Sequence, residues 1–129
     1  MNTLFDPLRR KEVAATPEEQ VRQWFITVLG GAMGVPAHLM MSEVGFKWGG
    51  KQYRADILIY SRGGEPLAVV ECKRPDVALD ESVALQAMRY NAELDVRWIF
   101  LTNGERTMVF RRDDGRFVQC PALPAYDQM

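Results

Sequence analysis

Two carboxylates and one ammonium group stand inside segments of the sequence that are otherwise largely apolar. Asp56 lies in the run RADILIY, and Glu71 and Lys73 lie at the end of the run LAVVECK. A charged side chain in a buried strand is costly unless it is paired or binds an ion. Two carboxylates on neighbouring strands could share a divalent cation such as Mg²⁺, and a lysine beside them could stabilise charge that develops in a reaction.

The alternation of side chains along a strand indicates how these three groups could meet. Glu71 and Lys73 are two positions apart, so they are expected on the same side of one strand. On the preceding strand, Ala55, Ile57 and Ile59 are expected together on the face opposite to the aspartate. The turn at residues 61–66 is short, so the two strands are predicted to be antiparallel neighbours that gather all three charges on one face.

Composition limits the class of protein. The chain has 129 residues, of which 47 % are hydrophobic, and this is enough for one packed domain. A formal net charge of −1 argues against tight, non-specific nucleic-acid binding by this chain alone. Cys72 and Cys120 are too few for a disulfide framework or a zinc site. Without an apolar run of about 18 residues or a signal peptide, the chain is predicted to be cytoplasmic, with no membrane partner.

Turn signals and apolar spacing predict the elements that position these residues. Thr16 and Glu19 indicate a capping box that opens the first helix, and Gly30-Gly31 ends it. The later elements are predicted as strands at 39–46, 52–60 and 67–73, a helix at 79–94, a strand at 97–102, and a hairpin of residues 106–112 and 116–119. The helical connection between the third and fourth strands indicates that they pair in parallel. The predicted class is α/β, with a mixed sheet flanked by helices in the order α-β-β-β-α-β-β-β.

The chain shows no internal repeat and no low-complexity segment, so one domain is expected. Residues 1–15 are interpreted as a loosely held lead-in, and residues 16–120 as the domain. Residues 121–129 contain proline and polar side chains and are expected to fray.

Several segments resemble known nucleases. Asp56 followed by Glu71-Cys72-Lys73 resembles the PD-(D/E)XK phosphodiesterase motif, whose fold is restriction-endonuclease-like. Gln86 and Tyr90, one helical turn apart, resemble the Q-x-x-x-Y helix of RecB-like nucleases. Over roughly residues 16–112 the chain resembles the N-terminal nuclease domain of type I restriction enzyme R subunits, through Pro17-Glu18-Glu19, Val21-Arg22-Gln23, Arg54-Ala55-Asp56, Val70-Glu71-Cys72-Lys73, Gln86, Tyr90-Asn91 and Thr102-Asn103-Gly104.

The resemblance implies a DNA phosphodiesterase, either an endonuclease or an exonuclease, that depends on Mg²⁺ or Mn²⁺. Asp56, Glu71 and the backbone carbonyl of Cys72 are the expected metal ligands, and Lys73 and Gln86 are expected to join the two carboxylates in catalysis. Further candidates for the site are Glu18, Glu19, Glu43 and Tyr90. The family's helicase motor has no room in this chain, so other restriction-modification subunits, a motor protein or a second copy of the chain are the partners expected beside DNA.

Three functions stay open on the sequence alone. The first is an active, metal-dependent nuclease. The second is a catalytically silent nuclease-fold module that binds DNA or helps to assemble a restriction or repair complex. The third is a non-catalytic structural domain in which Asp56, Glu71 and Lys73 form a buried charge network. A metal ion that stabilises the protein only when Asp56 is present would favour the first.

Overall fold

A mixed sheet of six strands carries the helices of this chain, whose computed structural model describes residues 2–92 and 95–129. In chain order the helices and strands are β1 (Thr3–Asp6), β2 (Lys11–Ala14), α1 (Pro17–Gly30), β3 (Met40–Trp48), β4 (Lys51–Tyr60), β5 (Pro66–Cys72), α2 (Glu81–Tyr90), β6 (Trp98–Thr102), β7 (Thr107–Asp113) and β8 (Arg116–Cys120). Short 3₁₀ turns lie at Ala37–Leu39 and Tyr126–Gln128. No helix of the described residues is both long enough and apolar enough to cross a bilayer.

The strands of the main sheet lie side by side in chain order, from β3 to β8. Four neighbouring pairs are antiparallel, whereas β5 and β6 are parallel. A parallel pair needs a crossover connection, and α2 provides it. This confirms the predicted α/β class and the parallel pairing of these two strands.

The two helices cover opposite faces of the sheet. Below α1, Phe25 and Leu29 are fully buried against apolar side chains of β4, β5 and β6. Below α2, Ala84 packs with a second set of side chains from the same central strands, which includes Leu58, Val69 and Ile99. The central strands are therefore buried on both faces, and a charge on them can be tolerated only near a strand end or where the sheet opens.

The start of α1 forms half of the predicted capping box. Thr16 Oγ1 accepts a hydrogen bond from the Glu19 N–H at 3.1 Å, as an N-cap residue should. In a complete capping box the Thr16 N–H would donate to the Glu19 carboxylate. Here it donates to the carbonyl of Ala14 at 2.9 Å. The Glu19 carboxylate instead accepts from Arg9 at 2.7 Å. The prediction of a complete capping box is therefore wrong, since an arginine outside the helix competes for the carboxylate.

Strand β4 does not alternate strictly around Asp56. Ala55 packs with the cluster below α2, whereas Ile57 packs with the cluster below α1, so the expectation that these two share a face is wrong. On the neighbouring strand, Glu43 has a φ of 51°, a left-handed conformation that is uncommon for a residue with a side chain. The β3–β4 register is the same on both sides of this point. Both strands are thus distorted together where the charged residues lie.

Helix α2 is shorter than predicted. It begins at Glu81, where Asp80 Oδ1 accepts from the Val83 N–H at 3.0 Å, and it ends at Tyr90. The sequence predicted helix from 79 to 94, and residues 93 and 94 lie outside the described residues. The carbonyl of Ala87 accepts from the Asn91 side-chain amide at 2.9 Å, so Asn91 satisfies part of the helix end.

Both terminal segments are tied to the rest of the chain, which differs from the loose lead-in and frayed tail expected from the sequence. Strands β1 and β2 form an antiparallel hairpin, and Asp6 in it is fully buried. Near the C-terminus, Tyr126 is buried and its hydroxyl donates to the carbonyl of Tyr60 at 2.8 Å. The division of the chain into a domain at 16–120 and two tails stays a prediction.

The Tyr126 contact allows a test of how firmly the tail is held. Tyr126→Phe removes the donor and leaves the carbonyl of Tyr60 without this bond, so the free energy of unfolding should fall by about 1 kcal/mol. Urea denaturation measures the change, with Asp127→Asn at an exposed neighbouring position as the control. A Tyr126→Phe variant as stable as the wild type would show that the tail is not docked in solution.

Candidate active site

A cleft of about 160 Å³ opens beside the middle of β4, the C-terminal end of β5 and the C-terminal end of α2. Its walls contain both apolar and charged side chains, namely Glu43, Arg54, Ala55, Asp56, Val69, Val70, Glu71, Tyr90 and Asn91. Four residues that were predicted from the sequence meet here: Asp56, Glu71, Glu43 and Tyr90.

The cleft forms where β4 and β5 stop pairing. The last backbone pair on this side joins Ile57 to Val70, so Asp56 and Glu71 begin the diverging segments. There the Asp56 side chain turns toward β5, and its Oδ2 accepts a hydrogen bond from the Cys72 N–H at 2.7 Å. The carboxylate thus satisfies a backbone donor that the separating strand can no longer satisfy.

The environment of Asp56 makes its charged form costly. The pKa of Asp56 is raised to about 6, mainly by burial and to a smaller extent by the nearby carboxylates of Glu18 and Glu71. The hydrogen bond from Cys72 and the charge of Arg22 oppose this shift only in part. A carboxylate in this situation is stabilised by any additional positive charge that enters the cleft.

Glu71 and Lys73 form a loose pair at the edge of the cleft. Lys73 Nζ lies 3.7 Å from Glu71 Oε2, and each side chain is about one-third exposed, at 33 % and 32 %. An ion pair of this length and exposure is weak, because water screens it and both side chains lose freedom by forming it. The ammonium group is therefore available to a negatively charged ligand beside Glu71.

Glu43 is held by two arginines. Arg22 donates to its Oε2, and Arg54 donates to its Oε1 at 2.8 Å. Arg22 is buried, lies 3.3 Å from an oxygen of Glu19, and also donates to the backbone carbonyl of Asp56 at 3.4 Å. The hydrogen bond from Arg22 is the main reason that the pKa of Glu43 is lowered. Glu43 is therefore an ionised wall of the cleft that already has cationic partners.

The two acids of the first helix have different surroundings. Glu19 is buried and accepts hydrogen bonds from Arg9 and Gln23, at 2.7 Å and 3.0 Å, so it belongs to a network that holds the hairpin against α1. Glu18 is half-buried and lies near enough to Asp56 to raise the pKa of that carboxyl. Neither residue lines the cleft.

The two residues of the Q-x-x-x-Y resemblance lie at different places. Gln86 is exposed on α2 and is not part of the cleft wall. Tyr90 borders the cleft, and its hydroxyl accepts from the Arg54 N–H at 2.9 Å while its ring packs edge-on against Tyr53 at 5.7 Å between centroids. The predicted role of Gln86 in catalysis stays a prediction, whereas Tyr90 supports the wall of the cleft.

Two polar residues of the cleft wall were not predicted as site residues. Arg54 and Asn91 appear in the sequence beside Asp56 and Tyr90, within segments that resemble the restriction family. The sequence signal for Arg54 was its position two residues before Asp56 on the same predicted strand, since residues two apart can face the same side. No comparable signal existed for Asn91, since its burial depends on the fold around the end of α2.

The donor set of the cleft suits Mg²⁺ or Mn²⁺. In the stretches 2–92 and 95–129, no three histidine, cysteine or acidic side chains are arranged to hold a metal ion. Mg²⁺ commonly uses one or two carboxylates and keeps several waters, so Asp56 and Glu71 in an open cleft fit it. The Cys72 N–H points to Asp56, and the carbonyl of the same residue points to the same strand edge. The Cys72 carbonyl stays a predicted ligand.

Comparison with known proteins identifies a family and a fold. Residues 17–124 match the family model described as the N terminus of the type I restriction enzyme R protein. A solved fragment assigned as an HsdR subunit of a type I restriction enzyme from Vibrio vulnificus YJ016 superposes with a TM-score of 0.63 and 23 % identity, over 89 % of this chain and 25 % of that chain. A protein of DUF820 from Anabaena variabilis ATCC 29413, assigned as a nuclease, superposes with a TM-score of 0.54 and 12 % identity, over 98 % of this chain and 83 % of that one. No curated protein matches.

These likenesses confirm the predicted family and the nuclease-like fold. At 23 % and 12 % identity the two solved structures show the fold and not the chemistry. This chain spans 25 % of the HsdR fragment, so the activity of the whole enzyme does not follow from the match.

The raised pKa of Asp56 predicts a pH-dependent stability. In metal-free buffer the folded state holds a proton on Asp56 up to about pH 6, whereas the unfolded chain releases it near the ordinary aspartate pKa of 3.8. The free energy of unfolding should therefore fall as pH rises through this window. Asp56→Asn keeps the shape and removes the fall, so it should be more stable than the wild type by about 1 to 2 kcal/mol at pH 7.

Urea denaturation at several pH values, with EDTA present, measures this difference. The matched control is Asp76→Asn, at an exposed aspartate outside the cleft. A gap between wild type and Asp56→Asn that is the same at pH 4 and pH 7 would contradict the assignment of the raised pKa to Asp56.

Proposed function

Because the chain belongs to the family of type I restriction enzyme R protein N-terminal domains, we propose that it is a metal-dependent DNA phosphodiesterase. Its active site is the cleft between β4, β5 and α2. The observation that carries the proposal is the position of the Asp56 carboxylate, which borders this cleft beside Glu71 in surroundings that raise its pKa to about 6. Strongly perturbed carboxyl groups that line a cleft are typical of functional sites.

The residues of the chain have separable roles in this proposal. Asp56, Glu71 and the carbonyl of Cys72 hold Mg²⁺ or Mn²⁺, and the Cys72 N–H fixes the orientation of the Asp56 carboxylate. When bound, the cation supplies positive charge that stabilises the phosphodiester as it is cleaved. Lys73 adds a second positive charge next to Glu71, where it stabilises developing negative charge or orients the attacking water.

The charge distribution favours this function over a purely structural network. Glu19, Glu43 and Arg22 do form such a network, with direct contacts between carboxylates and guanidinium groups. No ion pair joins the Asp56 carboxylate to a cation within the described part of the chain. In a network that served stability alone, the Asp56 carboxylate would be expected to contact a guanidinium group as Glu19 and Glu43 do, whereas it accepts a backbone N–H.

If the substrate is DNA, the chain needs partners that select the target, and it must be located where DNA is. We propose that the net charge of −1 reflects a division of labour, in which other restriction-modification subunits or a motor protein select the DNA target. The same substrate is consistent with a cytoplasmic protein. A homodimer stays a prediction from the sequence.

Metal binding should stabilise the protein through Asp56. Mg²⁺ or Mn²⁺ at about 100 times its dissociation constant adds about 2.7 kcal/mol to the free energy of unfolding, which raises the melting temperature by several degrees. Differential scanning fluorimetry with and without the ion measures the rise. Asp56→Asn should abolish it, whereas Asp113→Asn, at an exposed carboxylate on β7, should retain it. An equal rise in wild type and Asp56→Asn would mean that the ion binds elsewhere.

Cleavage should depend on Lys73. With Mn²⁺ present, supercoiled, linear and single-stranded DNA are incubated with the wild type and with Lys73→Ala, which should lower the rate by about 10²–10³-fold. Lys11→Ala, at an exposed lysine on β2, is the matched control and should cut as the wild type does. Equal cleavage by wild type and Lys73→Ala would indicate a contaminating nuclease. No cleavage combined with an intact metal-dependent stabilisation would favour a catalytically silent binding module.

A further inference from the structure

We propose that Arg54 binds a backbone phosphate of the DNA in the cleft, and that Glu43 holds the Arg54 guanidinium at the cleft wall until the phosphate replaces it. This inference rests on the proposed function and extends it, because it assigns the residue that recognises the substrate and describes an exchange of its partner.

The position of Arg54 suits a phosphate ligand. It lies on β4 two residues before Asp56 and borders the same cleft. Its side chain is 73 % exposed, and its Nη2 atom lies 2.8 Å from Glu43 Oε1. The backbone N–H of Arg54 donates to the hydroxyl of Tyr90 at 2.9 Å. The base of the side chain is therefore fixed on the cleft wall while its guanidinium stays in water.

The three acids of the cleft favour an additional cation, and Arg54 supplies it beside the proposed metal ion and Lys73. Among the wall residues in the described part of the chain, Arg54 carries the one cationic side chain, against the three acids Glu43, Asp56 and Glu71. A polyanionic ligand would be repelled by these acids unless positive charge compensates them. Arg22 cannot reach the ligand, because it is buried and engaged by Glu43.

The two oxygens of Glu43 make the exchange feasible. Oε2 accepts from Arg22 and Oε1 accepts from Arg54, so Glu43 keeps a buried cationic partner when Arg54 leaves. The contact with Arg54 is an exposed ion pair, which contributes little to stability and is easily replaced. A phosphate competes well for the guanidinium, since its oxygens can accept two parallel hydrogen bonds from the planar fork of arginine.

The backbone of Glu43 supports this arrangement. Its φ of 51° is rare for glutamate, and such a conformation persists only where the surroundings stabilise it. Here the surroundings are the two arginines, which lie on α1 and β4 and converge on one carboxylate. The strained residue thus keeps its carboxylate beside Arg54, within the wall of the cleft.

Fluorescence anisotropy of labelled duplex and single-stranded DNA tests the inference. The measurements use Ca²⁺ at a fixed concentration in place of Mg²⁺, a series of salt concentrations, and a gel that shows that the DNA stays intact. Arg54→Ala should weaken binding about tenfold and reduce the salt slope by about one, the change expected for one lost phosphate contact. Arg116→Ala, at an exposed arginine on β8 at the opposite edge of the sheet, should change neither quantity.

Glu43→Gln tests the exchange itself. Without the competing charge, the variant should bind DNA about threefold more tightly than the wild type, and the gain should vanish when Arg54→Ala is also present. Melting curves of both variants show that they are folded at the temperature of the binding assay. A Glu43→Gln gain that persists in the Arg54→Ala background would overturn the exchange.

Two failures are distinguishable in this experiment. If the wild type binds neither form of DNA, the substrate assignment fails and the inference fails with it. If the wild type binds and Arg54→Ala has the same affinity and the same salt slope, the role of Arg54 is overturned while the proposed nuclease stands.

Discussion

The hydrogen bond from the Cys72 N–H to the Asp56 carboxylate is the contact on which the cleft depends. This hydrogen bond lies just beyond the last β4–β5 backbone pair, which joins Ile57 to Val70. The strands can therefore separate there without leaving the Cys72 N–H unsatisfied. The separation produces the space between Asp56 and Glu71. Burial is the main cause of the raised pKa of Asp56, which the hydrogen bond from Cys72 opposes in part.

The acids near this contact fall into two groups with different partners. Glu19 and Glu43 contact the buried guanidinium of Arg22, which joins α1 to the sheet. Buried ion pairs stabilise a fold only weakly, but they hold side chains in one arrangement, and here that arrangement includes the backbone of Asp56. Asp56 and Glu71 lie next to this network and stay available to a ligand.

Much of the architecture was predictable because it follows from local patterns. Apolar runs and turn residues identified the strands of the main sheet, and the helix between β5 and β6 implied their parallel pairing. The two ends of the chain are held more firmly than the sequence suggested, since Asp6 and Tyr126 are buried and Tyr126 contacts the distant Tyr60. The strict alternation of side chains expected around Asp56 was also wrong. Strand β4 is distorted there together with its neighbour β3, and a sequence pattern within one strand does not reveal such a distortion.

The sequence by itself determined the residue types, the order of the elements and the family, because these depend on composition and on spacing over a few residues. The tertiary structure alone decided which acid has a cationic partner. Arg22 reaches Glu43, and Tyr90 reaches Arg54, across separations of 21 and 36 residues. Periodicity carries no information about such contacts, since they form only when helices pack on a completed sheet. For that reason the sequence could propose Glu19, Glu43, Asp56 and Glu71 together, and only packing could separate the two acids that arginines hold, Glu19 and Glu43, from Asp56 and Glu71.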